Sequence, residues 1–343
     1  MDRQFSRRNL VKLGVAGAGV AVVTGGTARI VRAEPPPLEE KDTYVVGFAQ
    51  VGSNNPWRLA ETKSMQDEAK KRGYQLIETN ANEDTAKQIA DVASIIAQRP
   101  DVIIFPPRES TPLAQSVLQA KEAGIPVILI DRDVDHSIAQ PGDDYVTFIG
   151  SDFVEQGRRA AEWLIEATGG TAKIIQLEGT TGSDPAIDRQ RGFEDLIVSG
   201  SFMGTPVSTP VAGMQIVASQ SADFNRDEGR KVMETLLQAH PDVDAVYAHN
   251  DEMALGAIAA IEAAGLVPGE DIILVSIDGS NDALQAIVDG KLGATVESSP
   301  FFGPIAFDTM EKYASGEPIP DWVVVEDRFF DSSNAEEFLG SQY

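Results

Sequence analysis

From Thr43 onward the chain alternates short apolar runs with longer segments whose apolar residues recur at helical spacing. The runs are 44–51, 74–80, 101–106, 126–131, 145–150, 173–178, 214–220, 245–249, 272–278, 293–298 and 322–330. Most are continuous and rich in Val and Ile rather than alternating, which predicts strands covered on both faces. Between them, sets such as Ile89, Val92, Ala93 and Ile96, or Val232, Met233, Leu236 and Leu237, share one face of a helix. Glycine follows predicted helix ends at Arg72-Gly73, Ala123-Gly124 and Ala264-Gly265, each just before a new run. Repeated strand–helix units predict an α/β protein with parallel sheets and right-handed crossovers. Eleven strands are too many for one small doubly wound sheet, so two Rossmann-like lobes are expected, with the first crossing near Gly150-Ser151. Segment 200–213, rich in Gly, Pro, Ser and Thr, reads as an exposed insertion in the second lobe.

Composition narrows the function. The 343 residues suffice for two cores, and the formal charge is −25. So acidic a surface repels nucleic acid and anionic membranes, and no nucleic-acid partner is expected. There is no cysteine, which excludes disulfides, thiolate metal sites, a Cys nucleophile and a lipid-modified Cys.

Residues 1–33 read as an export signal. Ser6-Arg7-Arg8-Asn9-Leu10-Val11-Lys12 is a twin-arginine pattern, a Gly/Ala-rich apolar stretch runs from Leu13 to Gly26, and Val31-Arg32-Ala33 suits a cleavage site. The apolar stretch is too short and glycine-rich for a stable membrane span. Residues 34–42, with three prolines, read as a spacer. The location expected is the periplasm, or the outside of a cell without an outer membrane.

In open parallel sheets, ligands bind at the carboxyl ends of the strands. There the sequence places Gln50, Asn80, Asp131 with Arg132, Glu178, Asn250 with Asp251, and Asp278; Asn55, Trp57 and Arg58 follow the first strand, and Arg189 the sixth. This inventory suits a neutral polyol. Carboxylates accept hydroxyl protons, Arg donates to oxygens, and Trp57 and Phe224 offer faces for a sugar's C–H surface. A bland alternative makes Asp131 and Asp278 turn or helix-capping residues, and Trp57 a packing residue. Catalytic signals are absent: no phosphate loop, no Rossmann glycine fingerprint, no G-x-S-x-G elbow and no H-E-x-x-H. No catalytic residue, metal or cofactor is expected.

The motifs resemble those of periplasmic sugar-binding proteins of the ribose/galactose cluster, which serve ABC importers. The resemblance rests on Val46-Gly47-Phe48-Ala49-Gln50, Asn54-Asn55-Pro56-Trp57-Arg58, Ile130-Asp131-Arg132, Ala186-Ile187-Asp188-Arg189, Ser221-Ala222-Asp223-Phe224, the run from Ala248 to Ala257, and Ser276-Ile277-Asp278-Gly279. It spans about 43–332 in family order. The galactofuranose-binding branch shares Gln50, the Trp57-Arg58 pair and Glu61 three residues on. The resemblance implies the type I periplasmic-binding fold with three crossings, near Ser151, Ser298 and Pro320. The first lobe would be 43–150 plus 299–320, the second 151–298 plus 321–332, with 333–343 a tail. It implies ligand-binding roles for Gln50, Asn55, Trp57, Arg58, Glu61, Asp131, Arg132, Arg189, Phe224, Asn250 and Asp278. The implied protein is a monomer that closes by a hinge motion on a galactofuranose- or galactose-like sugar, or another pentose or hexose, and delivers it to an ABC permease. The alternative is a sensor subunit that presents a sugar or signal molecule to a membrane receptor. Arg58 stands where ribose binders stack a second aromatic, and Ser298 where some carry Gln, which points away from ribose.

Overall fold

The computed structural model describes residues 34–202, 205–206 and 211–343. The expected export signal, 1–33, lies outside them. The first lobe holds β1 (Val45–Gln50), α1 (Pro56–Arg72), β2 (Gln75–Asn80), α2 (Thr85–Ala97), β3 (Val102–Phe105), α3 (Ser110–Glu122), β4 (Val127–Ile130) and β5 (Thr147–Ser151). The second holds α4 (Phe153–Ala167), β6 (Thr171–Glu178), α5 (Asp184–Ser199), the hairpin of β7 (Ser201–Phe202) and β8 (Thr205–Pro206), and β9 (Gly213–Ser221). It continues through α6 (Arg226–Ala239), β10 (Ala245–Ala248), α7 (Asp251–Ala263), β11 (Ile273–Asp278), α8 (Asn281–Val288) and β12 (Ala294–Glu297). Then α9 (Gly303–Ala314) and β13 (Trp322–Val325) return to the first lobe, and β14 (Phe329–Asp331) and α10 (Ala335–Phe338) to the second.

The first sheet runs β13-β5-β4-β3-β1-β2, all parallel; the second runs β14-β12-β11-β10-β6-β9, with only β14 antiparallel. The continuous apolar runs have the expected cause. Val46 and Phe48 enter one core layer and Ala49 the other, as Val102 and Ile104 do opposite Ile103 and Phe105. In the second lobe, Ile175 and Leu177 face one layer and Ile174 the other. Helices begin and end on sequence signals: Asn55 caps α1 with Pro56 behind it, and Gly73 closes it at φ +75°.

The third crossing differs from the expectation. Residues 322–330 are not one strand of the second lobe. Trp322–Val325 pairs in parallel with β5 of the first sheet, its ring stacked on Phe148 at 6.2 Å. Only Phe329–Asp331 pairs with β12. The crossing therefore lies at 326–328, where three consecutive charged residues cannot continue an apolar strand. Asp327 is held there by Ser151 at 2.9 Å and Gln156 at 2.7 Å. The segment read as a spacer is also packed: Leu38 is buried in the first core, and the Tyr313 hydroxyl donates to the Pro36 carbonyl at 3.0 Å. The segment read as a tail forms α10 and buries Ala335 in the second core.

Candidate functional site

The carboxyl ends of both sheets face a small cavity between the lobes. The first lobe brings Asn55, Trp57, Arg58, Asp131 and Arg132 to its wall; the second brings Arg189, Phe224, Asn250 and Asp278. Of the residues to which the resemblance gives ligand-binding roles, all line it except Gln50 and Glu61; the strand-end residues Asn80, Glu178 and Asp251 do not. Pro185 and Ser298 line it as well. Pro185 directly precedes the Ala186–Arg189 motif, a signal that sequence reading passed over.

Gln50 and Glu61 stand behind the wall. The Gln50 amide donates to Glu61 Oε2 at 2.9 Å, and the same oxygen accepts from Arg58 Nη1 at 2.7 Å. These two residues therefore aim Arg58. The resemblance carried their identity but not the direction they face.

Asp131 directly follows the first lobe's β4 in a left-handed conformation, φ +59°, and the Arg132 amide donates back to the Ile130 carbonyl at 2.5 Å. This tight three-residue turn is strained, and it swings the carboxylate into the cavity between Arg58 (2.7 Å) and Arg132 (3.6 Å). Neither contact is aligned as a hydrogen bond. Asp131 Oδ2 and Arg132 Nε are buried without hydrogen-bond partners. Burial, with Arg58 close by, lowers the Arg132 guanidinium to about 10. Arg132 is steered by donating to the Arg108 carbonyl at 2.9 Å.

Arg189, on α5, donates from Nε to Gln156 at 2.9 Å and from Nη1 to the His249 carbonyl at 2.6 Å. Its Nη2 lies 3.8 Å from Asp278. Phe224, at φ +55°, lies beneath both guanidiniums, 5.4 Å from Arg132 and 5.8 Å from Arg189. Gly179 makes room for that ring, since a β-carbon there would fall 1.9 Å from Phe224 Cζ. Asn55 and Asn250 are helix N-caps whose side chains also reach the wall. Asp131 and Asp278 cap no helix; Ser280 caps the helix that follows Asp278. Trp57 both packs and lines: it is buried, and its Nε1 donates to the Ser298 carbonyl at 2.7 Å. His249 is fully buried and lowered to about 3 by burial, away from the wall. Among the described residues, no group of three or more His, Cys, Asp and Glu could hold a metal ion.

Several buried carboxyls are pushed up. Burial raises Glu61 to about 7 against the pull of Arg58, and raises Asp251 and Asp327 to about 6 against their hydrogen bonds. Each binds its proton more tightly folded than unfolded, so folding takes up protons between the ordinary carboxyl range and about 7. Stability then falls as pH rises through that window. The protein without ligand should melt higher near pH 4.5 than near pH 7, losing up to about 1.4 kcal/mol per pH unit for each such group between its ordinary value and its raised one, and nothing further from these groups above about pH 7. Melting curves across that range check this; Glu61→Gln should flatten part of the slope, and an unchanged or rising profile would contradict it.

Two parallel-sheet lobes that converge strand ends and polar side chains from both sides onto one cavity define a bilobal solute-binding protein. The chain belongs to the periplasmic binding protein family, whose domain model matches residues 46–318. It is similar to the galactofuranose-binding protein YtfQ of Escherichia coli (strain K12), 38% identical over 80% of this chain and 84% of that one. It is also similar to the ribose import binding protein RbsB of Bacillus subtilis (strain 168), 35% identical over 84% of this chain and 87% of that one. Among solved structures, the periplasmic binding protein component of the arabinose ABC transporter from Shewanella sp. ANA-3, bound to alpha and beta-L-arabinofuranose, superposes with a TM-score of 0.79. It is 38% identical over 87% of this chain and 95% of that one. The family is one of binding proteins, not enzymes, and works outside the cytoplasm.

Proposed function

We propose that this protein captures a monosaccharide between its lobes and delivers it, as a monomer, to an ABC importer. A galactofuranose- or galactose-like sugar leads among pentoses and hexoses. One observation carries the reading: a buried carboxylate oxygen and a buried guanidinium nitrogen, on Asp131 and Arg132, meet at the cavity wall with no hydrogen-bond partner. A polyol offers both the donor and the acceptor that they lack, which a buried polar group needs. Asp278 and Arg189 repeat the acid–base pairing on the opposite lobe, and Trp57 and Phe224 supply faces for a ring. The names of the relatives, which include a galactofuranose binder and an arabinofuranose-bound protein, support a furanose among the candidates.

A panel of D-galactose, methyl β-D-galactofuranoside, L-arabinose and D-ribose tests it by thermal shift. Ligand at 100 times its Kd adds about 2.7 kcal/mol of stability. A shift with amino acids or nucleosides, and none with any sugar, would overturn the assignment.

The route out of the cytoplasm is proposed to be the twin-arginine pathway, from Arg7-Arg8 and the mild apolar stretch after them. Replacing Arg7 and Arg8 together by Lys should leave unprocessed precursor inside the cell, read by fractionation and blotting; normal maturation would exclude that pathway.

A further inference from the structure

The chain's last residues join the two lobes beside the cavity. Residues 335–342 belong to the second lobe: Phe338 and Leu339 pack on its core, with Phe338 5.2 Å from Phe330. Asn281, at the start of α8, then grips the chain three times. Its Oδ1 accepts from the Gly340 amide at 2.8 Å, its Nδ2 donates to the Gln342 carbonyl at 2.9 Å, and its backbone N–H donates to the Tyr343 carbonyl at 3.3 Å. The ring of Tyr343 nevertheless packs on the other lobe, against the apolar cluster that contains Trp57 and Phe302. One residue thus has its main chain held by the second lobe while its side chain packs on the first lobe's core, its phenol near the second lobe's Asp278, Asp251 and Glu252.

The place matters. Asn281 lies three residues beyond Asp278, and Trp57 is itself part of the cavity wall. Burial, then the Asp278 carboxylate, pushes the Tyr343 phenol well above its usual range, so the ring sits within electrostatic reach of the cavity. Phe153 also meets Phe148 at 6.4 Å beside the first crossing, and Arg132 lies over Phe224 at 5.4 Å, but other lobe-to-lobe contacts are polar. The Ser110 amide donates to the Gly182 carbonyl at 2.9 Å, the Asp133 amide to Asp184 at 2.9 Å, and Arg108 meets Asp223 at 3.3 Å. On opening, those polar groups exchange partners for water at little net cost. An aromatic ring pulled off an apolar surface has no such exchange.

We propose that Tyr343 is a retention residue: its ring spans the lobes at the cavity's edge, resists opening and slows release of bound sugar. This rests on the sugar-binding reading above. As a contact broken on opening, it belongs in the off-rate rather than the on-rate.

The test uses the full mature chain and whichever sugar of the panel binds. Release is followed by stopped-flow competition for wild type, Tyr343→Ala, Tyr343→Phe and Asn281→Ala. Lobe separation without ligand is read by double-label distance measurement on Leu59→Cys and Ile187→Cys, two exposed positions in a chain that has no cysteine. Tyr343→Ala and Asn281→Ala should speed release about tenfold, leave association nearly unchanged, and broaden the ligand-free distance toward open forms. Tyr343→Phe, which keeps the ring, should behave as wild type. Tyr343→Ala gives up a packed ring and should melt somewhat lower; unchanged association beside faster release separates retention from general destabilisation. Wild-type release and an unchanged distance for Tyr343→Ala overturn the inference. If no sugar binds the wild type, the sugar reading falls, and the ligand-free distances alone decide whether Tyr343 ties the lobes.

Discussion

Asp278→Gly should abolish useful sugar binding and leave the ligand-free protein more stable than wild type. Asp278 ends β11 at φ +134°, a conformation that L side chains rarely adopt. Such a residue costs on the order of 1–3 kcal/mol, and glycine removes most of that cost while giving back some chain entropy. The carboxyl is also buried, and burial raises it well above its usual range with Arg189 only partly opposing. The gain expected on substitution is about 1 kcal/mol. Against this, the proposed site would give up two charge-assisted hydrogen bonds to sugar hydroxyls at roughly 1.5–3 kcal/mol each, so affinity should fall at least about a hundredfold. Urea unfolding without ligand and calorimetry with sugar read the two effects separately. Wild-type affinity would show that Asp278 shapes the turn and does not touch ligand.

Asp131→Ala should lose as much affinity with the opposite sign on stability. This carboxylate lies 2.7 Å from Arg58 and 3.6 Å from Arg132, all three largely buried. Removing it leaves two guanidiniums facing each other without their shared anion, and breaking a buried pair typically costs about 3–5 kcal/mol. Alanine also tolerates φ +59° worse than aspartate. Asp131→Asn should recover part of the stability, since Asn accepts the turn, and none of the affinity that depends on charge. Two aspartates at equivalent strand ends, equal in binding loss and opposite in folding effect, would separate turn strain from ion pairing. If both variants destabilise alike, the strain assigned to Asp278 is wrong.

The sequence could reveal some of these features and not others, for physical reasons. Short continuous Val/Ile runs that follow glycine helix stops point to strands buried on both faces, so two parallel sheets were legible, as were the strand ends that carry Asp131 and Asp278. The break inside 322–330 was not, because Trp322-Val323-Val324-Val325 and Phe329-Phe330 are equally apolar and periodicity does not say which sheet each joins. The charged triplet Glu326-Asp327-Arg328 was the available signal. Gln50 and Glu61 were recognisable by resemblance and expected to bind ligand, yet whether a side chain touches ligand or its neighbour depends on depth, which spacing does not encode. Phe338, Leu339 and Tyr343 are too few apolar residues to announce a packed segment, so the bridge that Tyr343 makes was hidden altogether.

The return of the chain to the first lobe bears on how the protein is made. That lobe's sheet lacks its β13 edge until residue 325 has been synthesised, and part of its core stays open until α9 supplies Phe307 and Met310. An N-terminal half emerging from the ribosome therefore cannot finish as an independent unit, unlike tandem domains that fold one after another. Folding of the first lobe must wait for almost the whole polypeptide, and a copy truncated after β12 would lack pieces of both lobes at once.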